Sequence, residues 1–401
     1  MELTNLTTAV IFLIVGIGVL LLGMNLMSSG LKKVSGPRIR GLFNKIKNNR
    51  FIGLGIGAGT TALIQSSAAT SVMTIGFINA GVMSIFQAVS IIMGAYIGTT
   101  VTGLLVSLST LGGGSSFSID LVFMLLIVVG VILTFFKKEL CKNIGEICSG
   151  LGLLFLGLFM LNGAFKYSEI QSAFQQIFTS VSNPILLVLI GALLTMLVQS
   201  SSAATGIMIV MVAAGSVNVS AAIYVAVGAT VGTVITTILA TIGGSTNSKR
   251  TAAIVFTMRI LMAILFLIIF WPVNSAYGLF NTMSSWFGAN NTGLFVAVFM
   301  VIYNVVTMFM LLPFITPFEK LATKAIKDKQ AESMNSYVKF IDNKLLATPA
   351  LAMMQVKKEI VNMNELTKEN FVRAYQCIIT QNFEEENLIT KTEEGIDYLN
   401  N

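Results

Sequence analysis

The chain has 401 residues, of which 55% are hydrophobic and only 11% are charged. A soluble domain usually carries about 25% charged residues, so this composition excludes an ordinary soluble protein and indicates a polytopic α-helical membrane protein. The net charge of +7 does not indicate nucleic-acid binding, because the basic residues lie mostly beside the apolar segments. The absence of His removes the commonest general base and zinc ligand, which argues against an enzyme.

Seven apolar segments are predicted to cross the membrane as helices. They cover residues 9–31, 86–109, 121–136, 144–165, 221–241, 251–271 and 294–313. Because the basic clusters should face the cytoplasm, the N-terminus is predicted to lie outside and the C-terminal tail inside. Residues 166–183 are predicted to be a longer external segment, and residues 274–291 an external loop.

Two further apolar segments, residues 51–80 and 184–214, are too long for one straight span. A helix of 30 residues would measure about 45 Å, against a hydrocarbon core of about 30 Å. Each has a polar centre, and an unpaired polar group in hydrocarbon costs several kcal/mol. We therefore predict two re-entrant hairpins that place these polar residues at their tips. The tips are Gln65, Ser66 and Ser67 in the first hairpin, and Gln199, Ser200, Ser201 and Ser202 in the second.

The two tips lie 134 residues apart, and the same offset relates Gly57 to Gly191 and Gly98-Thr99 to Gly232-Thr233. This indicates a duplicated unit of three spans and one hairpin. Three spans are an odd number, so the second unit should be inverted, as in many secondary transporters. The predicted domains are repeat one, repeat two, an external loop with one extra span, and a cytoplasmic helical tail. Their bounds are residues 1–143, 144–273, 274–317 and 318–401.

The hairpin tips are candidate ion-binding sites. Hydroxyl, amide and opened backbone oxygens suit Na⁺, and the start of a half-helix attracts an anion. Packing between helices is the alternative explanation for the small residues. Further candidates are Thr70, Thr99, Thr100, Thr205, Thr233, Thr236 and Arg259.

The coupling ion and the role of Arg259 follow from charge. The predicted spans contain no deeply placed Asp or Glu, and proton-coupled carriers usually use such a carboxylate, so Na⁺ is favoured as the coupling ion. Arg259 lies well inside a span. It either supplies positive charge to an anion path or extends its side chain back to the membrane surface.

The duplicated Gln-Ser-Ser motif, in two inverted halves, resembles the type II sodium–phosphate cotransporter family over residues from about 10 to 315. The resemblance implies sodium-driven uptake of inorganic phosphate, with both tips binding substrate and sodium and with no other cofactor. It places the chain in a bacterial plasma membrane, where we also expect a homodimer. Ala68 follows the first motif where many members have Ser, so no hydroxyl ligand is expected there.

The tail from about residue 345 resembles the start of a PhoU-like helical domain. Glu393 and Asp397 match an acidic pattern found at metal sites of that domain, although a solvated helix face is the favoured explanation for them. Two alternatives to phosphate transport stay open at this point. One is a carrier of another small anion, and the other is a membrane scaffold or sensor that does not transport.

Overall fold

The computed structural model describes residues 5–43, 49–80, 83–110, 119–288, 291–327, 337 and 349–400. In these residues the regular structure is entirely helical, which confirms the predicted all-α class. The chain divides into two compact units, Met1–Ile326 and Lys327–Asn401. The first unit contains every predicted span and both predicted hairpins.

The helices of the first unit follow one another with short connections. In chain order they are α1 (Leu6–Phe43), α2 (Arg50–Ile64), α3 (Ser67–Asn79), α4 (Ile85–Gly98), α5 (Thr100–Leu108), α6 (Ile119–Thr134), α7 (Glu139–Phe165), α8 (Ser168–Ser180), α9 (Pro184–Val198), α10 (Ser201–Ala213), α11 (Val219–Gly232), α12 (Val234–Leu239), α13 (Thr246–Tyr277), α14 (Leu279–Ser285), α15 (Thr292–Leu311) and α16 (Ile315–Ala325). A 3₁₀ turn, Leu312–Phe314, joins the last two.

Six helical segments of the described residues are long and apolar enough to cross a membrane. They are Leu6–Ser35, Ile85–Leu108, Glu139–Phe165, Val219–Leu239, Thr246–Tyr277 and Thr292–Ala325. The seventh predicted span corresponds to α6, which is shorter at 16 residues. Two of the six are interrupted, at Thr99 between α4 and α5 and at Thr233 between α11 and α12. The sequence analysis treated each of these as one continuous span.

The two segments predicted to be external each contain a helix that the sequence analysis did not predict. Within residues 166–183, α8 packs through the buried Ile170. Its Gln171 amide donates to the carbonyl of Ala214 at 3.0 Å, and its Gln175 amide donates to the carbonyl of Gly215 at 2.8 Å. These bonds satisfy carbonyls where α10 ends, which a reading based on overall polarity could not reveal. Within residues 274–291, the helix is α14.

The helix boundaries repeat at the same offset of 134 residues as the sequence. Helices α2, α3 and α4 correspond in both bounds to α9, α10 and α11. The caps correspond as well: Asn49 and Asn183 each accept a hydrogen bond from the backbone N–H two residues later. A capping side chain satisfies a backbone donor that the helix leaves unpaired. The duplicated sequence therefore forms the same local structure twice.

Helices α1 and α7 occupy matching positions in the two halves and pack closely against each other. A Cβ added at Gly23 would lie 2.4 Å from the backbone N of Leu154, and one added at Gly157 would lie 2.5 Å from that of Leu20. Gly30 lies against Asn143. The partner number falls as the residue number rises, so these two helices run antiparallel.

The second unit contains two described helices, α17 (Pro349–Thr380) and α18 (Glu386–Asn400). The Asn370 amide joins them by donating to the carbonyl of Ile389 at 3.0 Å. Asn362 and Asn370 are both buried, so this unit has a partly polar interior.

Candidate functional site

Each Gln-Ser-Ser motif separates two helices, and the first of the two ends at the Gln, where a break was predicted. Gln65 ends α2 with φ 57° and ψ 28°, and Gln199 ends α9 with φ 54° and ψ 24°. Positive φ is uncommon outside Gly and indicates a tightly specified turn. Ser66 and Ser200 then cap α3 and α10, and their hydroxyls accept from Ala69 N and Ala203 N.

The first pair of helices bends sharply at this break. The Thr61 hydroxyl donates to the Thr70 hydroxyl at 2.9 Å, although nine residues separate them. In a continuous helix those residues would lie about 13.5 Å apart along the axis. The chain therefore turns sharply at Gln65, as the predicted hairpin requires. Re-entry of this hairpin into a membrane stays a prediction.

The two tips line one cavity of about 550 Å³, which all seven predicted tip residues reach. Thr233 and Thr236 also line it, as do polar residues of α1 that include Ser28 and Lys33. The lining described contains two lysines and no carboxylate. Lys33 is paired with Glu146, so the cavity offers hydroxyl and amide groups together with the positive charge of Lys32, which favours entry of an anion.

The side chains of the two glutamines differ. The Gln65 amide donates to the carbonyl of Ala62 at 2.7 Å and accepts from the Thr102 hydroxyl at 2.6 Å. Within the described residues, the exposed Gln199 side chain has no hydrogen-bond partner. The hydroxyl of Thr236, which corresponds to Thr102, donates instead to the carbonyl of Thr233 at 2.8 Å. The Gln65 side chain is thus held by two hydrogen bonds within the protein, whereas the Gln199 side chain lines the cavity without such bonds.

A second difference lies just behind the tips and gives a prediction about stability. Thr195 corresponds to Thr61, but Ala204 replaces Thr70, and the buried Thr195 hydroxyl has no partner. Thr61→Val is expected to cost about 1 kcal/mol, the value of a typical hydrogen bond. Thr195→Val is expected to be neutral or stabilising, because it removes an unsatisfied buried group. Thermal unfolding of the purified variants tests this; equal destabilisation by both changes would contradict it.

A smaller inner pocket lies beside the second tip. Of the additional candidates, Thr99, Thr100, Thr205, Thr233 and Arg259 line it. Ser201, Ser202 and Thr233 line both this pocket and the larger cavity. The inner pocket therefore adjoins the tip at the start of α10, and it also contacts the interruption between α4 and α5.

Arg259 is 2% exposed, so its side chain does not reach a surface. The interpretation that it extends back to the membrane surface is therefore wrong. Its guanidinium carbon lies 3.7 Å from the centroid of the Tyr96 ring, a cation–π contact. One terminal nitrogen donates to the Asn304 side-chain oxygen at 3.1 Å. The Nε atom is buried and has no partner in the described residues.

The remaining candidates lie elsewhere. Thr70 is fully buried within the first hairpin, where its hydroxyl donates to the carbonyl of Ser66 at 3.2 Å, and it lines neither pocket. Glu393 and Asp397 are both exposed on α18. The described residues contain no group of three His, Cys, Asp or Glu side chains that could hold a metal ion.

Sequence reasoning missed several residues of these pockets. Tyr96 and Asn304 line the inner pocket, and Lys32 and Lys33 line the cavity. Lys33 forms an ion pair with Glu146 of α7. Tyr96 precedes a Gly-Thr pair that the repeat had marked, which was a usable signal. Asn304 lies in the span outside the repeat, where nothing in the sequence singled it out.

Comparison with known proteins identifies relatives that are connected with phosphate transport. A family model described as "Na+/Pi-cotransporter" matches residues 19–163 and 167–298, more than half of the chain. YjbB from Escherichia coli (strain K12), named for a proposed role in inorganic phosphate export, is 24% identical over 359 residues. The alignment covers 89% of this chain and 63% of YjbB. The chain thus spans less than two thirds of the length of that relative.

Two further relatives were found. The uncharacterized YqeW from Bacillus subtilis (strain 168) is 25% identical over 305 residues, which cover 75% of this chain and 93% of YqeW. Sodium-dependent phosphate transport protein 2B from Homo sapiens is 36% identical over 96 residues, 23% of this chain and 14% of that protein. No solved structure matches the chain. The six long apolar helices and the family match together make this a multi-pass membrane protein.

Proposed function

The chain belongs to the Na+/Pi-cotransporter family, a family of transporters and not of enzymes, and from that premise we propose that it is a sodium-coupled carrier of inorganic phosphate. One observation carries the proposal: two duplicated polar helix breaks line the same cavity, which has no carboxylate among its described lining residues. The ligands of phosphate and sodium would be the side chains and backbone groups of both tips. They are Gln65, Ser66, Ser67, Gln199, Ser200, Ser201 and Ser202.

The chemistry of the tips supports both ions. The starts of α3 and α10 present backbone N–H groups that their helices leave unpaired, and these attract an anion. Hydroxyl, amide and carbonyl oxygens suit Na⁺, a hard cation. The Gln199 amide, which has no partner in the described residues, can turn its oxygen to sodium or its nitrogen to phosphate.

Alternating access would use the two halves as inverted repeats. Support comes from the matching bounds of α2 to α4 and α9 to α11, and from the antiparallel packing of α1 against α7. Opposite orientation of corresponding helices is expected when a repeat is inverted. We retain the proposed division at residues 143, 273 and 317, with re-entrant hairpins meeting near the centre of the membrane.

The direction and location are part of the proposal. From the basic loops we expect the N-terminus to lie outside and the tail to lie in the cytoplasm of a bacterium, with the carrier in the plasma membrane. A sodium gradient directed inward would drive uptake. YjbB is named for export, so transport should be measured in both directions. The homodimer stays a prediction.

The decisive test is uptake of labelled phosphate into proteoliposomes that contain the purified protein. With Na⁺ outside we expect uptake well above that with choline, because bound sodium offsets the negative charge of the substrate. Protein-free liposomes serve as the control. Equal uptake in Na⁺ and choline would defeat sodium coupling, and no uptake or efflux under either condition would favour the sensor or scaffold alternative.

A further inference from the structure

The inner pocket contains a buried charge that the structure leaves uncompensated. Arg259 is the only buried Lys or Arg of the described residues. The ion pairs found there are Lys33–Glu146 and Arg373–Glu369, and the described residues that line the pocket include no carboxylate. A guanidinium stays protonated in proteins, and burying an unpaired charge is strongly unfavourable. An ionisable group inside a membrane protein therefore indicates a functional site, at which a ligand would supply the missing opposite charge.

One set of residues that line the inner pocket, here called the donor wall, offers hydrogen-bond donors. The unpartnered Nε of Arg259 is one of them. The hydroxyls of Ser201, Ser202 and Thr205 donate to no other group within the described residues, so they are available to a ligand. Ser201 and Ser202 begin α10, where the helix dipole is positive and backbone N–H groups are unpaired, and Thr205 lies one turn later. The fixed guanidinium repels a cation, so an anion is the ligand this wall fits.

A second set of lining residues, here called the acceptor wall, offers acceptors. The hydroxyls of Thr99 and Thr100 donate to the carbonyls of Ala95 and Ile97, at 3.0 and 2.7 Å. The Thr230 hydroxyl donates to Val227 at 2.7 Å. A hydroxyl has one proton, so a hydroxyl that donates to a carbonyl of its own helix can only accept a further hydrogen bond. The ligand should therefore carry a proton of its own that it can donate to these threonines.

We propose that the inner pocket is a subsite for a protonated oxyanion, with Arg259 as its charge partner. Near neutral pH phosphate and arsenate carry at least one proton, whereas sulfate carries none. Phosphate can thus bond to both walls. Sulfate has no proton to donate, so the threonine acceptors would face an anionic oxygen. A site of buried polar groups strongly rejects a ligand that leaves those groups unpaired. The inference rests on the proposed function and adds to it a basis for selectivity. Position 125, which corresponds to Arg259 in the first half, is Leu, so only one half supplies the charge.

The test compares Arg259→Met with the matched control Arg250→Met. Arg250 lies on the same helix, but its guanidinium bonds to the carbonyl of Ile326 and to Asn247, away from the pocket. Binding of labelled phosphate to purified protein is measured at saturating Na⁺. Losing one partner of a buried charge pair should weaken phosphate binding by about 30-fold or more. Arg250→Met should bind as the wild type does.

Thermal unfolding separates a binding role from a packing role. Without phosphate, Arg259→Met should unfold at the same temperature as the wild type or higher, because it removes an unpaired buried charge. The stabilisation that sodium gives the wild type should persist in the variant. Unchanged phosphate affinity together with a lower unfolding temperature would assign Arg259 to packing and overturn the proposal. Should Arg259→Met fail to fold, Arg259→Lys is used instead, with phosphate binding expected to be about tenfold weaker; wild-type affinity in that variant would equally overturn it.

Competition by unlabelled anions tests the selectivity. Arsenate should displace phosphate from the wild type, and sulfate should not. Displacement by sulfate at the same concentration as arsenate would overturn the assignment of the acceptor wall. If the wild type binds none of the three anions, the proposed function and the subsite both fail. Phosphate binding that is equal in the wild type and Arg259→Met removes the subsite alone.

Discussion

Gln199→Gly is expected to remove most sodium-dependent phosphate transport without unfolding the protein, whereas Gln65→Gly is expected to reduce both transport and stability. The Gln199 side chain has no partner in the described residues, so its removal deletes a polar group of the cavity without breaking a hydrogen bond that stabilises the fold. The loss of one ligand hydrogen bond should lower phosphate affinity about tenfold. The Gln65 side chain makes two internal hydrogen bonds, and removing them should cost about 1–3 kcal/mol.

Glycine is the appropriate replacement because both glutamines have positive φ, which Gly adopts without strain. Alanine or a β-branched residue would add backbone strain to the loss of the amide and confuse the two effects. Gln381→Gly provides the control: Gln381 has φ 50° and lies in the second unit, so the exchange should leave transport unchanged. Phosphate uptake and thermal unfolding are measured for all three variants. Equal loss of stability in Gln65→Gly and Gln199→Gly would contradict the difference seen between the tips.

Much of this site could be predicted because a local pattern encoded it. An apolar run that is too long for one span, with Gln and Ser at its centre, permits few structures other than a break at that point. Gln65 and Gln199 are the residues at which the helices end. The offset of 134 then marked Thr99 and Thr233, where the structure interrupts two further helices.

Features that depend on contacts between distant segments could not be predicted. Nothing near Gln65 indicates that Thr102 holds its amide, and nothing near Arg259 indicates that Tyr96 and Asn304 surround it. Arg259 left two interpretations open because depth along a helix does not reveal which face meets a neighbour. The helix α8 was missed for a similar reason, since its amides cap a segment about 40 residues later in the chain.

Among Gly→Ala substitutions in the first hairpin, Gly57→Ala is expected to cause the largest loss of stability. A Cβ at Gly57 would lie 1.9 Å from the carbonyl oxygen of Ile91 and 2.9 Å from the backbone N of Ala95. Both are backbone atoms of α4, so no side chain can move aside and α2 must separate from α4. Overpacking of a close contact costs about 1–3 kcal/mol, and a clash with backbone should exceed this range. Thermal unfolding and the yield of folded protein measure the effect.

Gly55→Ala is the matched control on the same helix, since a Cβ there would have nothing within 4 Å. It is expected to be neutral or to stabilise the helix by up to about 1 kcal/mol. Gly191, the counterpart of Gly57, would place a Cβ 1.9 Å from the carbonyl oxygen of Val225, so Gly191→Ala should be as damaging as Gly57→Ala. Because α2 carries Gln65 and α4 leads to Thr102, the same separation should also break the bond that fixes the first tip. A severe loss in one half with none in the other would mean that the two halves are not held together by the same packing.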